Sequence, residues 1–156
     1  MKKNKIIIII ISLLVLASCG FKPINQKNTN LIFFSNIDVE GDPKITYYLK
    51  NNILIISNKN SKNVYDVKLT VEKRRNIKIK DKTGKAKRYT LSLVVNLNLS
   101  DVQKNTIQKK FTQREDYDVA KIHSSTIQNE NRATKITIQK ITDEIINFIT
   151  LSMRNK

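Results

Sequence analysis

A chain of 156 residues with one cysteine, one histidine and three scattered glycines cannot close an internal disulfide, gather a thiol or imidazole metal cluster, or thread a glycine-rich phosphate loop. Its 29 lysines and arginines against 13 acids give a net charge of +16, which points to an anionic partner. Lysine, asparagine and isoleucine are over-used together, so much of that charge is an ordinary solvated surface, and only clusters of lysine stand out from it.

Lys2, Lys3 and Lys5 make a basic start, and Ile6 to Leu16 form an apolar run broken only by Ser12, the pattern of a signal peptide. At 1.5 Å per helical residue this run reaches about 17 Å, short of a hydrocarbon core of about 30 Å. A spanning helix would have to drag the polar residues 25–30 into lipid. Leu16-Ala17-Ser18-Cys19-Gly20 has the form of a bacterial lipobox, with small residues before the cut and a lone cysteine to take a diacylglyceryl group. Ordinary secretory cleavage would instead leave Cys19 a free thiol. Each buried methylene contributes about 0.8 kcal/mol, so the usual three acyl chains would hold the protein on a membrane that it does not cross. Cleavage before Cys19 leaves 138 residues with a net charge of +13, enough for one domain. The expected organisation is a signal peptide over 1–18, a lipidated tether over 19–30 and a single domain over 31–156.

Leu31-Ile32-Phe33-Phe34 opens a first strand, with Leu31, Phe33, Ile37 and Val39 expected on one face. Gly41-Asp42-Pro43 signals a helix start: Asp42 accepts from first-turn amides and Pro43 sits where no amide partner is needed. Ile45, Leu49, Ile53 and Ile56 then predict a stripe on a helix of about fourteen residues. Tyr65, Val67, Leu69 and Val71 alternate with polar residues as a half-buried strand that continues through Ile77 and Ile79. Asp81-Lys82-Thr83-Gly84 turns the chain, and Tyr89, Leu91, Leu93, Val95, Leu97 and Leu99 return it along one face. A turn in 100–105 leads to a weaker strand from Thr106 to about Asp116, carrying Ile107 and Phe111 and expected at the sheet edge. A final helix is predicted from about Ser125 to Met153, with a capping box in Ser125-Thr126-Ile127-Gln128 and a stripe of Ile127, Ile138, Ile141, Ile145, Phe148 and Ile149. Ile136 and Ile146 fall off that stripe, so part of its second side is expected to be covered too. The order β-α-β-β-β-α predicts an α+β fold, a four-stranded mostly antiparallel sheet with two helices packed on one face.

Little chemistry is available to such a chain. His123 stands beside Ser124 and Ser125 before the last helix, no serine sits in a nucleophile elbow, and the thirteen acids show no paired-carboxylate context that sequence alone flags, so an enzyme is not expected. The strongest feature is the hairpin between the second and third strands. Lys73, Arg74, Arg75, Lys78, Lys80, Lys82, Lys85, Lys87 and Arg88 face a single acid, Asp81, a net +8 in sixteen residues. Such a ribbon can bring guanidinium forks and ammonium groups onto phosphate oxygens. In an exported chain the anion is lipid phosphate or lipopolysaccharide rather than nucleic acid. The plainer reading is a long solvated hairpin whose lysines discourage edge pairing.

Cys19-Gly20-Phe21-Lys22-Pro23 resembles the mature start of the LptE family, the lipoprotein partners in lipopolysaccharide assembly. The order of elements, Gly84 to Leu99 as a turn followed by Arg88 and an alternating strand, and Tyr117-Asp118-Val119-Ala120 before the last helix are similar to that family as well. The resemblance implies a non-enzymatic lipoprotein without a cofactor beyond the lipid on Cys19. It implies anchoring on the periplasmic side of the outer membrane, where the protein plugs and helps assemble an LptD-like β-barrel and meets lipopolysaccharide through basic residues. Only Lys73 to Arg88 offer a match for those residues. Gly20 after the cysteine, in place of aspartate, is similar to lipoproteins released to the outer membrane. Two other readings are a stand-alone periplasmic lipoprotein that binds or chaperones an anionic lipid or peptide, and a structural lipoprotein with no ligand.

Overall fold

A computed structural model describes residues 32–154; the signal peptide, the lipobox with Cys19, the tether and Leu31 lie outside the described residues. The chain forms β1 (Phe33–Glu40), α1 (Pro43–Leu54), β2 (Val64–Lys80), β3 (Ala86–Asp101), β4 (Thr106–Asp118) and α2 (His123–Arg154). The four strands lie in the order β1-β2-β3-β4, with β1 parallel to β2 and the remaining pairs antiparallel. This is the predicted α+β architecture, the parallel β1-α1-β2 unit being joined to a three-stranded meander.

In α1 the Asp42 carboxylate accepts from the amides of Lys44 at 2.9 Å and Ile45 at 3.2 Å, and Pro43 occupies the first turn. Ile45, Leu49 and Ile53 are buried on one stripe. The helix covers twelve residues rather than fourteen, because Ile55, Ile56 and Ser57 donate three residues back, tightening the last turn and ending it.

The first strand departs from simple alternation. Phe34 pairs with Tyr65 but Asn36 pairs with Asp66, so Ser35 is an extra residue, and its hydroxyl donates to the Tyr65 carbonyl and to Asp66 Oδ1. A bulge reverses which residues face inward. Ile32 and Phe34 are buried before it, Ile37 is buried after it, and Phe33 is not on the face expected for it.

Tyr65, Val67, Leu69, Val71, Leu91, Leu93, Val95, Leu97 and Leu99 fill the inner face of the central strands as predicted. The helices cover this face, and Phe111 from β4 closes the core beside Phe148, their rings 5.7 Å apart at 69°. Ile77 and Ile79, further out on β2, are 48% and 42% exposed.

The last helix starts at His123, two residues before the expected cap, which puts Ser125 inside the first turn. Thr126 and Asn129 tie down the preceding segment: Thr126 Oγ1 accepts from the Ala120 amide at 2.9 Å, and Asn129 Nδ2 donates to the Asp118 carbonyl at 2.9 Å. Ile138, Ile141, Ile145 and Ile149 are buried and Phe148 packs beside them, but Ile127 is exposed. In the first half of the helix the inward positions are Thr126, Glu130, Ala133 and Thr137, about a quarter turn from Ile127 at 100° per residue. The contact stripe thus drifts along the 32 residues of the helix, as expected of a long helix laid on strands that twist beneath it. Buried Thr134, Thr137 and Thr142 each donate to the carbonyl four residues back, so no hydroxyl among them is stranded.

Candidate functional site

The β2–β3 hairpin extends past both of its neighbours. Pairing with β1 stops at Thr70, and pairing with β4 stops where Arg88 meets Asp118. Beyond that, Ile79 to Arg88 is a two-stranded ribbon closed by a rigid turn. Asp81 Oδ1 accepts from the Thr83 amide at 2.8 Å, the Thr83 hydroxyl at 2.7 Å and the Lys85 amide at 3.0 Å, while Gly84 supplies a φ of 84°. These bonds, the one from the Thr83 hydroxyl foremost, hold the Asp81 carboxyl below the usual carboxylate range.

The nine basic residues divide into two sets. Five meet carboxylates. Glu72 takes both Nε and Nη2 of Arg74 at 2.6 and 2.7 Å, Asp118 takes Arg88 Nε at 2.6 Å, and Asp116 pairs with Lys78 while accepting from Thr90 at 2.7 Å. Glu130, on α2, takes Lys73 at 2.9 Å through one oxygen and Arg75 at 3.3 Å through the other. Tyr117 donates to the same Glu130 carboxylate at 3.1 Å. Arg75 also lies 4.9 Å from the Tyr89 ring centroid, and Tyr89 stacks on Tyr117 at 5.5 Å. Hydrogen bonds from Lys78 and Thr90 lower the Asp116 carboxyl, and that from Lys73 lowers Glu130 against the opposing effect of its burial. Burial pushes the Tyr117 hydroxyl up.

The second set is Lys80, Lys82, Lys85 and Lys87, which form no ion pair with any described residue. All four stand exposed at the end of the ribbon. Counting Glu72, Asp116, Asp118 and Glu130 lowers the local net charge from +8 to +4, and what remains is concentrated at the tip. Among the described residues no group of acids, cysteines and histidines could hold a metal ion, and no helix is long and apolar enough to cross a membrane.

This architecture is similar to that of solved bacterial lipoproteins. The rare lipoprotein B of Shewanella oneidensis superposes with a TM-score of 0.59 at 16% identity, covering 77% of this chain and 97% of its own. A minor lipoprotein of Acinetobacter baumannii gives 0.60 at 18%, covering 79% and 92%, and a lipoprotein B of Nitrosomonas europaea gives 0.59 at 13%, covering 84% and 90%. No protein-family model matches the chain, and no curated protein resembles it by sequence. At these identities the likeness is one of fold.

The four neutralising carboxylates escape a reading of the sequence because they are remote from the hairpin or read as ordinary surface acids. Asp116 and Asp118 do form an Asp-x-Asp pair on β4, and laying β4 antiparallel to β3 places them across from Thr90 and Arg88. Glu130 carries no comparable local signal. Only the drift of the α2 contact stripe brings it over β2.

Proposed function

We propose that this chain is a lipid-anchored lipoprotein of the outer membrane that seats in an LptD-like β-barrel and holds lipopolysaccharide phosphates at its hairpin tip. The observation that carries the ligand reading is the separation of the basic residues: Lys73, Arg74, Arg75, Lys78 and Arg88 are engaged in the fold, whereas Lys80, Lys82, Lys85 and Lys87 make no ion pair with a described residue and stand on a turn fixed by Asp81. A cluster of such ammonium groups presented by a rigid ribbon attracts a multiply charged anion and loses little order in doing so. The anchor, the compartment and the barrel rest on the lipobox at Cys19 and on the LptE-like features of the sequence, supported by a fold similar to bacterial lipoproteins. The protein acts in this reading by binding and positioning, with no catalysis and no cofactor.

The test is a quadruple Lys80, Lys82, Lys85 and Lys87→Ser variant set against a control with Lys50, Lys59 and Lys62→Ser. The tip variant is expected to bind lipopolysaccharide at least tenfold more weakly and to lose most of its salt dependence, while a barrel still co-purifies from solubilised outer membrane. Equal losses in both variants would make the hairpin one part of a diffuse basic surface. Binding without a co-purifying barrel would favour a stand-alone periplasmic lipoprotein.

A further inference from the structure

On the side of the helices away from the sheet, α1 and α2 leave a trough of about 690 Å³ between them, within the range of about 300–1,000 Å³ usual for small-molecule sites. Its apolar wall is made by Tyr48, Ile55 and Ile56 from α1 and by Ile138 and Ile146 from α2. Ile55 is 70% exposed and Tyr48 48%, so these two side chains are not consumed by the core, whereas Ile138 belongs to it and Ile56 packs against it. Three cations, Lys44, Arg132 and Lys135, share the lining with a single acid, Asp143, and none of the three is in an ion pair with a described residue.

The trough is also polarised along its length. The α1 helix returns between two parallel strands, so it runs antiparallel to β2. The α2 helix runs antiparallel to β4, since Glu130 meets Tyr117, Lys140 meets Glu115 and Glu144 meets Gln113. Because β4 and β2 point the same way, the two helices point the same way. Lys44 opens α1 while Arg132 and Lys135 precede Ile138 and Ile146, so the cations gather upstream and Ile55, Ile56 and Ile146 downstream. From Asn131 to Ile146 the lining extends about 22 Å along α2.

We infer that this trough binds a long-chain fatty acid, its carboxylate between Lys44, Arg132 and Lys135 and its tail along the isoleucines. A single seam between two helices takes one tail, and an arginine fork engages both oxygens of a carboxylate. The chain's own N-terminal segment is a poorer occupant. It enters the fold at Ile32 beside Ser57, close to Ile55 and Ile56, but it carries Lys22 and Lys27 and no acid between Cys19 and Leu31. This site is separate from the hairpin and goes beyond the function proposed for it.

The full chain in phosphatidylcholine vesicles is exposed to a photoactivatable palmitate, and to a photoactivatable trimethylammonium probe with the same tail. Palmitate is expected to label Tyr48, Ile55, Ile56 or Ile146. The double variant Arg132→Glu, Lys135→Glu should cut that labelling at least tenfold and favour the cationic probe. Ile55→Glu, at an exposed position that leaves the core intact, should cut it as well. The Lys80, Lys82, Lys85 and Lys87→Ser variant should label like the wild type, which keeps failure of the hairpin reading distinct from failure of this one. Equal labelling by both probes, scattered cross-links, or trough labelling that appears only after residues 21–31 are replaced by a Gly-Ser tether would each overturn the inference.

Discussion

Gly41 links β1 to α1 at a φ of +132°, and a Cβ built there would lie 2.5 Å from the Val71 carbonyl oxygen. Both the conformation and the contact exclude a side chain, and the obstacle is backbone that cannot swing away. Gly41→Ala is therefore expected to destabilise the fold by about 1–3 kcal/mol, read as a lowered urea midpoint. Glu130 contributes through charge. Its folded carboxyl is held low, chiefly by the bond from Lys73, so its stabilisation is fully present above the ordinary glutamate value of about 4.3 and disappears as pH falls through the lower folded value. The stabilities of wild type and Glu130→Gln, read from urea unfolding, should thus differ at pH 7, by about 1 kcal/mol or less for a pair still partly open to solvent, and draw together as pH falls below the ordinary glutamate range. A gap that persists unchanged into acid would mean that Glu130 acts by packing alone.

Elements with one strong period are legible in the sequence alone. The β3 alternation and the Asp42-Pro43 start of α1 depend only on local geometry, and both are where the pattern places them. The bulge at Ser35 is not legible, since an extra residue that reverses a strand's faces leaves no mark in a run such as Ile32-Phe33-Phe34. Nor is the first half of α2, whose inward positions are alanine, threonine and glutamate rather than isoleucine. In its second half Ile141 is fully buried, and Ile141→Ala should cost about 2–5 kcal/mol with retained helical circular dichroism. An unchanged midpoint would place this face of α2 outside the core.

For the whole molecule, the sequence carries the charge but not its apportioning. A net of +8 over the hairpin is plain, while the carboxylates that engage five of its nine cations come from β2, β4 and α2 and meet them only in the folded state. The candidate site is consequently smaller than the motif that announces it. The trough between the helices has no signature, because Lys44 and Arg132 are far apart in the chain and Ile146 reads simply as a second covered side. The proposed anchor is tested on the full chain as well. Cys19→Ser is expected to abolish lipidation and signal cleavage, giving a precursor that carbonate washing strips from membranes; a mutant that is still processed and resists the wash would place the anchor elsewhere.

The parallel edge strand gives the domain a defined point of mechanical entry. Any load on the N-terminal side arrives at Ile32, whose carbonyl accepts from the Asn58 amide at 2.8 Å, with Phe33 and Phe34 bound next to it by the Asn63 carbonyl and the Ser57 hydroxyl. A pull along β1 loads the whole ladder to β2 in shear, whereas a pull away from the sheet opens the same rungs one after another. The meander and α2 are contiguous in sequence from Val64 onward and lie outside that path. A pull applied ahead of Ile32 and directed away from the sheet would therefore peel away β1 first and leave the β2–β3 hairpin with its tip lysines in place, so that the first strand acts as a mechanical fuse for the meander.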